Sequence, residues 1–223
     1  GTGVKLLTNG TASDQVIVLP HLDARQTAWS GVKWGSKTET KWDCTFSTGG
    51  ATDMICIWAG LKLSNVPAFV TDVDQAYFAY TSAGGGIPNP IGNIITDDRL
   101  HFIYSINGTD YVTNLGIPLG ADTFYTFSIE FNTDLSMAIH VSIDGDTKSY
   151  LIGQTAHDNT SVATRTATQI SQTGGLAHHR SLSFSGDEVF IPYVGLQQLQ
   201  AAAKYIHLSN ECISRTIFTL AAG

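Results

Sequence analysis

Basic residues are scarce in this chain: 12 lysines and arginines stand against 19 aspartates and glutamates in 223 residues, and no basic cluster tracks along any segment. Nucleic-acid binding driven by phosphate contacts has no electrostatic footprint here. No apolar run reaches the about 18 residues that a membrane-spanning helix needs, so no membrane partner is expected, and no signal-peptide pattern opens the sequence at Gly1-Thr2-Gly3. Cysteine is sparse too. Cys44, Cys56 and Cys212 cannot all pair within one chain, and none sits at metal-ligand spacing. Buried thiols in a chain folded in a reducing compartment are the expectation. Helical periodicity, heptads and repeat periods are absent, which excludes a fibrous shaft within this sequence. Leu196 to Ala203 is rich in helix formers but too short to hold a helix alone.

Catalytic signatures are missing as well. The glycines between Gly84 and Gly92 are followed by no lysine and open no helix, both of which a phosphate cradle requires. No Gly-x-Ser-x-Gly elbow is present. Glycoside hydrolysis needs two carboxylates flanking the bond, whereas Glu130 is followed by Asn132 and Asp134 and stands alone on its strand. The expectation is a protein that is not an enzyme.

What the sequence does contain is alternation of apolar and polar residues, with 22 glycines punctuating it. Strands are predicted near Gln15–Leu19, Thr40–Ser47, Met54–Leu63, Gln75–Thr81, Leu100–Ile106, Phe124–Asn132, Ser136–Ile143, Thr147–Ile152, Val189–Leu196, Lys204–Leu208 and Cys212–Leu220. Asp144-Gly145 supplies the positive φ angles of a tight hairpin turn. In the preceding strand Tyr125, Phe127, Ile129 and Phe131 share one face and should point into a core. With 43% apolar and 14% charged residues, one all-β sandwich over residues 1–223 is expected. It would carry an N-terminal tryptophan-bearing segment, 1–39, and a long polar loop, 153–187; loops of that length usually carry function or contacts.

Three groups of side chains are candidates for contact chemistry. Trp29, Trp34 and Trp42 fall in a polar stretch, where tryptophans serve either as sugar-stacking and partner anchors or as caps on a sandwich edge. Asp72 and Asp74 offer oxygen ligands for calcium, or alternatively acceptors for backbone amides before a strand. His157, Arg165, His178 and His179 lie in the long loop, the expected assembly surface; no metal chemistry is read from them, because adjacent side chains in an extended chain point opposite ways.

Met54 to Leu63 (MICIWAGLKL), Thr71 to Tyr80 (TDVDQAYFAY), Tyr104 to Asp110 (YSINGTD) and Ile191-Pro192-Tyr193 occur in an order that resembles the concanavalin A-like, laminin-G-like jelly-roll domains of tailed-bacteriophage structural proteins. The resemblance spans roughly Lys41 to Arg215. It implies an antiparallel jelly-roll β-sandwich with minimal helix. It also implies a virion structural protein on a capsid, fibre or tail surface, assembled in the host cytoplasm with other virion proteins as a homo-oligomer. Calcium at a sandwich rim would fit such domains, and no catalytic residues carry over. A lectin-like module for host-surface glycans and a polysaccharide-cleaving enzyme, with Tyr, His and Arg converging on one sheet, are the alternative readings.

Overall fold

A computed structural model describes residues 3–19, 32–34, 38–64, 72–82, 98–106, 109–131, 137–152, 162–170 and 188–217. These residues form strands and turns with no helix. The strands are β1 (Val4–Leu7), β2 (Gln15–Val18), β3 (Val32–Trp34), β4 (Thr38–Thr48), β5 (Ile55–Lys62), β6 (Gln75–Thr81), β7 (Leu100–Ile106), β8 (Thr109–Ile117), β9 (Phe124–Phe131), β10 (Met137–Ile143), β11 (Asp146–Ile152), β12 (Val162–Ile170), β13 (Glu188–Gln198) and β14 (Tyr205–Ile217).

Two sheets stack into a sandwich. The first runs β1-β14-β4-β9-β10-β11 and the second β8-β7-β6-β5-β13-β2, and within each every neighbouring pair is antiparallel. β12 pairs antiparallel with β11 and parallel with β8, so it links the edges of the two layers. β3 lies off this path and pairs with β13.

The inter-sheet core follows the period of two that places alternate side chains on one face. Trp42, Cys44 and Phe46 of β4, with Tyr125, Phe127, Ile129 and Phe131 of β9, meet Ile57, Ala59 and Leu61 of β5 and Phe78 and Tyr80 of β6. Phe78 stacks on Phe127 across the gap at 4.5 Å between centroids, and Phe131 on Phe190 at 5.7 Å. Each such aromatic pair adds roughly 0.5–1.5 kcal/mol beyond the area it buries.

The hairpin predicted at Asp144-Gly145 forms: Ile143 faces Asp146, and both turn residues have positive φ, 48° and 95°. Three expectations need correction. Residues 153–187 are not one loop, because the threonine- and alanine-rich stretch Val162–Ile170 is a strand. The two last predicted strands are one, β14, in which a bulge between Leu208 and Asn210 absorbs the polar Ser209 that reads as a break. Cys212 is an exposed thiol, whereas Cys44 and Cys56 are buried as expected.

Candidate functional site

Of the expected contact residues, the side chains of Trp42, Asp72 and Asp74 are among those the structure describes. Trp42 is fully buried in the inter-sheet core, where its indole N–H donates to Glu211 Oε1 at 3.0 Å; it alternates in phase with Cys44 and Phe46, so the strand turns it inward and no ligand reaches it. Trp34 lies in β3, opposite Glu188; its side chain is outside the described residues, as is all of Trp29. Asp72 follows the backbone reading. Its Oδ2 accepts the N–H groups of Leu63 and Ser64 at 2.7 and 2.9 Å, and its Oδ1 accepts the Ser64 hydroxyl at 2.9 Å. Asp74 is buried. Among the described residues no group of three or more His, Cys, Asp or Glu side chains is placed to hold a metal ion. Arg165 lies on β12, opposite Thr113; its side chain, together with His157, His178 and His179, falls outside the described residues.

Two surfaces then compete. The outer face of the second sheet, which a sandwich normally leaves to solvent, carries Trp58, Tyr77 and Tyr193 with Lys62, Gln75 and His101. Trp58 lies flat across β13: a Cβ at Gly195 would stand 2.6 Å from its indole. The Trp58 and Tyr193 rings are 5.8 Å apart, and the Lys62 amine sits 4.7 Å from the Tyr193 centroid. Sugar-stacking chemistry is present, but access is not. Trp58 is 1% exposed, Tyr77 1% and Tyr193 2%, and Met54, Ile17, Leu19 and Leu199 pack against them. Burial pushes the Tyr193 hydroxyl pKa well above its ordinary value, with Cys56 and Asp72 nearby adding to the rise, so the ring is held neutral. This face is a second hydrophobic layer.

An open surface among the described residues lies at one end of the first sheet, where β4 leaves and β14 enters. Gly49, Gly50, Ala51, Ala203, Lys204 and Tyr205 line a cleft of about 210 Å³ there. Tyr205 is its aromatic wall and is fixed from several sides. The ring crosses Gly49, where a Cβ would meet the ring at 3.0 Å; the Lys5 amine stands 4.1 Å from its centroid; and His207 meets it edge-on at 5.3 Å. A Cβ at position 49 would crowd both the ring and the Tyr205 carbonyl, each 3.0 Å away.

The rest of the cleft is equally well anchored. The Gly49 N–H donates to the Tyr205 carbonyl at 3.2 Å and its carbonyl accepts the Asp122 N–H at 3.1 Å. Thr48 Oγ1 donates to the Gly120 carbonyl at 2.7 Å. Lys204 is held by Thr8, whose Oγ1 accepts its N–H at 2.8 Å, and its amine pairs with Asp53 at 2.9 Å. That ion pair holds the Asp53 carboxyl below its usual range, through the hydrogen bond first and the charge second. The exposed Asp122 carboxylate lies beside Gly50, 3.6 Å from where a Cβ would sit. The cleft therefore offers the Tyr205 ring, with the exposed Asp122 carboxylate and the Asp53 carboxylate that pairs with the buried Lys204 amine close to its lining.

Sequence reasoning did not single out Tyr205, Lys204, Asp122 or Gly49. The Gly49-Gly50 doublet was the one local signal. Everything else comes from register, which brings residues 48–53, 119–123 and 203–205 together.

The same outer face holds a charged ladder. Lys41 bridges Asp43 at 3.1 Å and Glu130 at 3.7 Å, Glu130 pairs with His140 at 3.5 Å, and Ser128 donates to Asp43. The His140 hydrogen bond is the largest influence lowering the Glu130 pKa, and Lys41 adds to it. Glu130 therefore has a second carboxylate nearby, contributed by the adjacent strand, but it is held ionised rather than poised as an acid.

No protein-family model and no curated protein matches the sequence. Solved structures do match along nearly its whole length. The carbohydrate recognition domain of Emp47p aligns with 96% of this chain and 83% of its own, at 10% identity and a TM-score of 0.50. The family 7 alginate lyase A1-II' aligns with 98% of this chain and 80% of its own, at 13% identity and a TM-score of 0.46. The carbohydrate binding module CBM66 from Bacillus subtilis aligns with 95% and 91%, at 8% identity and a TM-score of 0.43. The expectation that the chain is not an enzyme is thereby corrected, since structures that align with it include polysaccharide lyases. At these identities the likeness concerns the fold alone, and the fold is a jelly-roll β-sandwich.

Proposed function

We propose that this chain is a carbohydrate-binding jelly roll that receives its ligand in the Tyr205 cleft. The observation that carries the reading is the Tyr205 ring, held under the Lys5 amine, beside a cleft lined by Gly49, Gly50, Ala51, Ala203 and Lys204, with Asp53 paired to Lys204 and Asp122 next to Gly50. Sugar hydroxyls both donate and accept hydrogen bonds. Carboxylates accept from them, an amine and a phenol donate to them, and a preset aromatic ring supplies apolar contact at little entropic cost. The sandwich it shares with a carbohydrate recognition domain supports the reading.

The resemblance to phage jelly-roll domains gives this binding a setting: a virion surface, with neighbouring virion proteins and further copies of the chain as partners. Sequence motifs alone support that setting, so carbohydrate binding is placed ahead of it.

A glycan array, followed by titration calorimetry on the glycans retained, tests the reading. Tyr205→Ala should weaken binding at least about tenfold, a loss of about 1.4 kcal/mol, with the fold intact by circular dichroism. Unchanged affinity in this variant would remove the cleft from consideration. Assaying the retained polysaccharides for product reads cleavage in the same samples.

A further inference from the structure

The cleft is small for a ligand site. Pockets for drug-sized ligands span roughly 300–1,000 Å³, against about 210 Å³ here, so it holds one sugar ring rather than a chain. The surface it opens onto continues as a row. Tyr205 packs over Gly49, the next outward pair on β14 and β4 is His207 and Ser47, and Ser47 faces Phe124 on β9. All of these side chains project from the outer face, since their neighbours Ile206, Phe46, Thr48 and Tyr125 are buried. Phe124 is 54% exposed, one of four large hydrophobic side chains so exposed among the described residues. Its backbone is held in place: the Phe124 N–H donates to Asp144 Oδ1 at 3.0 Å, and the Phe124 carbonyl accepts the Asp144 N–H at 2.9 Å. Two strand spacings and a two-residue offset put it roughly 12 Å from Tyr205, too far for one ring to touch both.

Resting on the function proposed above, we infer that the ligand is a neutral oligosaccharide whose end unit fills the Tyr205 cleft while a later unit stacks on Phe124. Asp122 beside Gly50 and Asp144 beside Phe124 flank the row against Lys5 over Tyr205, while Lys204 next to the cleft is already neutralised by Asp53. An anionic chain such as a polyuronate would meet net repulsion, whereas hydroxyls find acceptors. Two anchored aromatic contacts separated by a polar stretch are what a flexible polyhydroxylated chain requires.

The test uses the intact chain and an array of neutral and uronate oligosaccharides graded from one to six units, an illustrative range of about that size. Affinity for the neutral series should rise with length. Phe124→Ala should leave the single sugar unaffected and weaken the longest neutral member by roughly three- to tenfold. Phe124 is exposed, so the variant folds, and circular dichroism checks it. Equal affinity for short and long members, or no effect of Phe124→Ala on the longest, overturns the extended path while the cleft reading stands. Preference for the uronate series overturns the assignment of charge. Retention of no glycan at all removes the cleft reading itself.

Discussion

At the scale of single residues, burial and charge compete most clearly at Glu211. Its carboxylate accepts the Trp42 indole N–H, which favours the charged form, yet desolvation dominates and raises its pKa above the ordinary carboxylate value. A group with a raised folded pKa contributes stability that is complete below its unfolded pKa and is lost as pH rises through the folded one. Glu211→Gln keeps an acceptor for Trp42 and removes the charge. We expect the variant to match the parent at about pH 4 and to be the more stable by about pH 7, read as a thermal midpoint difference that widens with pH. Glu130 has the opposite sign: its lowered pKa contributes stability above the ordinary carboxylate range that is lost on acidification. Neither shift was legible in the sequence, because Trp42 and Glu211 are brought together by the β4–β14 register and the β9–β10 register sets Glu130 diagonally across from His140.

At the scale of elements, strands with strong alternation or β-branched and aromatic runs were readable, and β6 and β7 match their predicted bounds. Those that were missed have different physical causes. β8 interrupts its pattern with Asp110, Asn114 and Gly116, the last at φ 71°, all poor strand formers, so tertiary pairing with β7 decides it. The Asn107-Gly108 dipeptide between them was an available hairpin signal. β1 and β3 are four and three residues long, too short for periodicity to register. The cleft was less legible than the fold, because it is made where three chain segments meet. Thr8 secures one of those meetings. Buried at the end of β1, it donates its N–H to the Lys204 carbonyl at 3.0 Å and accepts the Lys204 N–H at its hydroxyl, while that hydroxyl also contacts Gln198. Thr8→Ala would strand buried partners at a cost of roughly 1–3 kcal/mol. Chemical denaturation should show this as a lower midpoint with an unchanged slope.

At the scale of the whole molecule, both sheets are closed by the beginning of the chain. β1 forms the outer edge of the first sheet against β14, and β2 that of the second against β13. Removing residues 1–18 would therefore expose two long strands at once, each a template for pairing with another copy. We expect light scattering to show that this truncated chain forms concentration-dependent aggregates under conditions where the parent does not; a well-behaved truncated species of the parent's association state would refute that role. The expected assembly through residues 153–187 concerns a segment of which only β12 is described, and β12 is paired on both sides.

The pairing of Val4 with Leu208 also sets a clock on synthesis. About 200 residues separate the partners, and a ribosome adding about 5–20 residues per second needs roughly 10–40 s to deliver the second after the first. For that interval the Val4-Lys5-Leu6-Leu7 segment lacks the strand it pairs with, so the yield of folded protein should depend on whatever shelters a nascent chain.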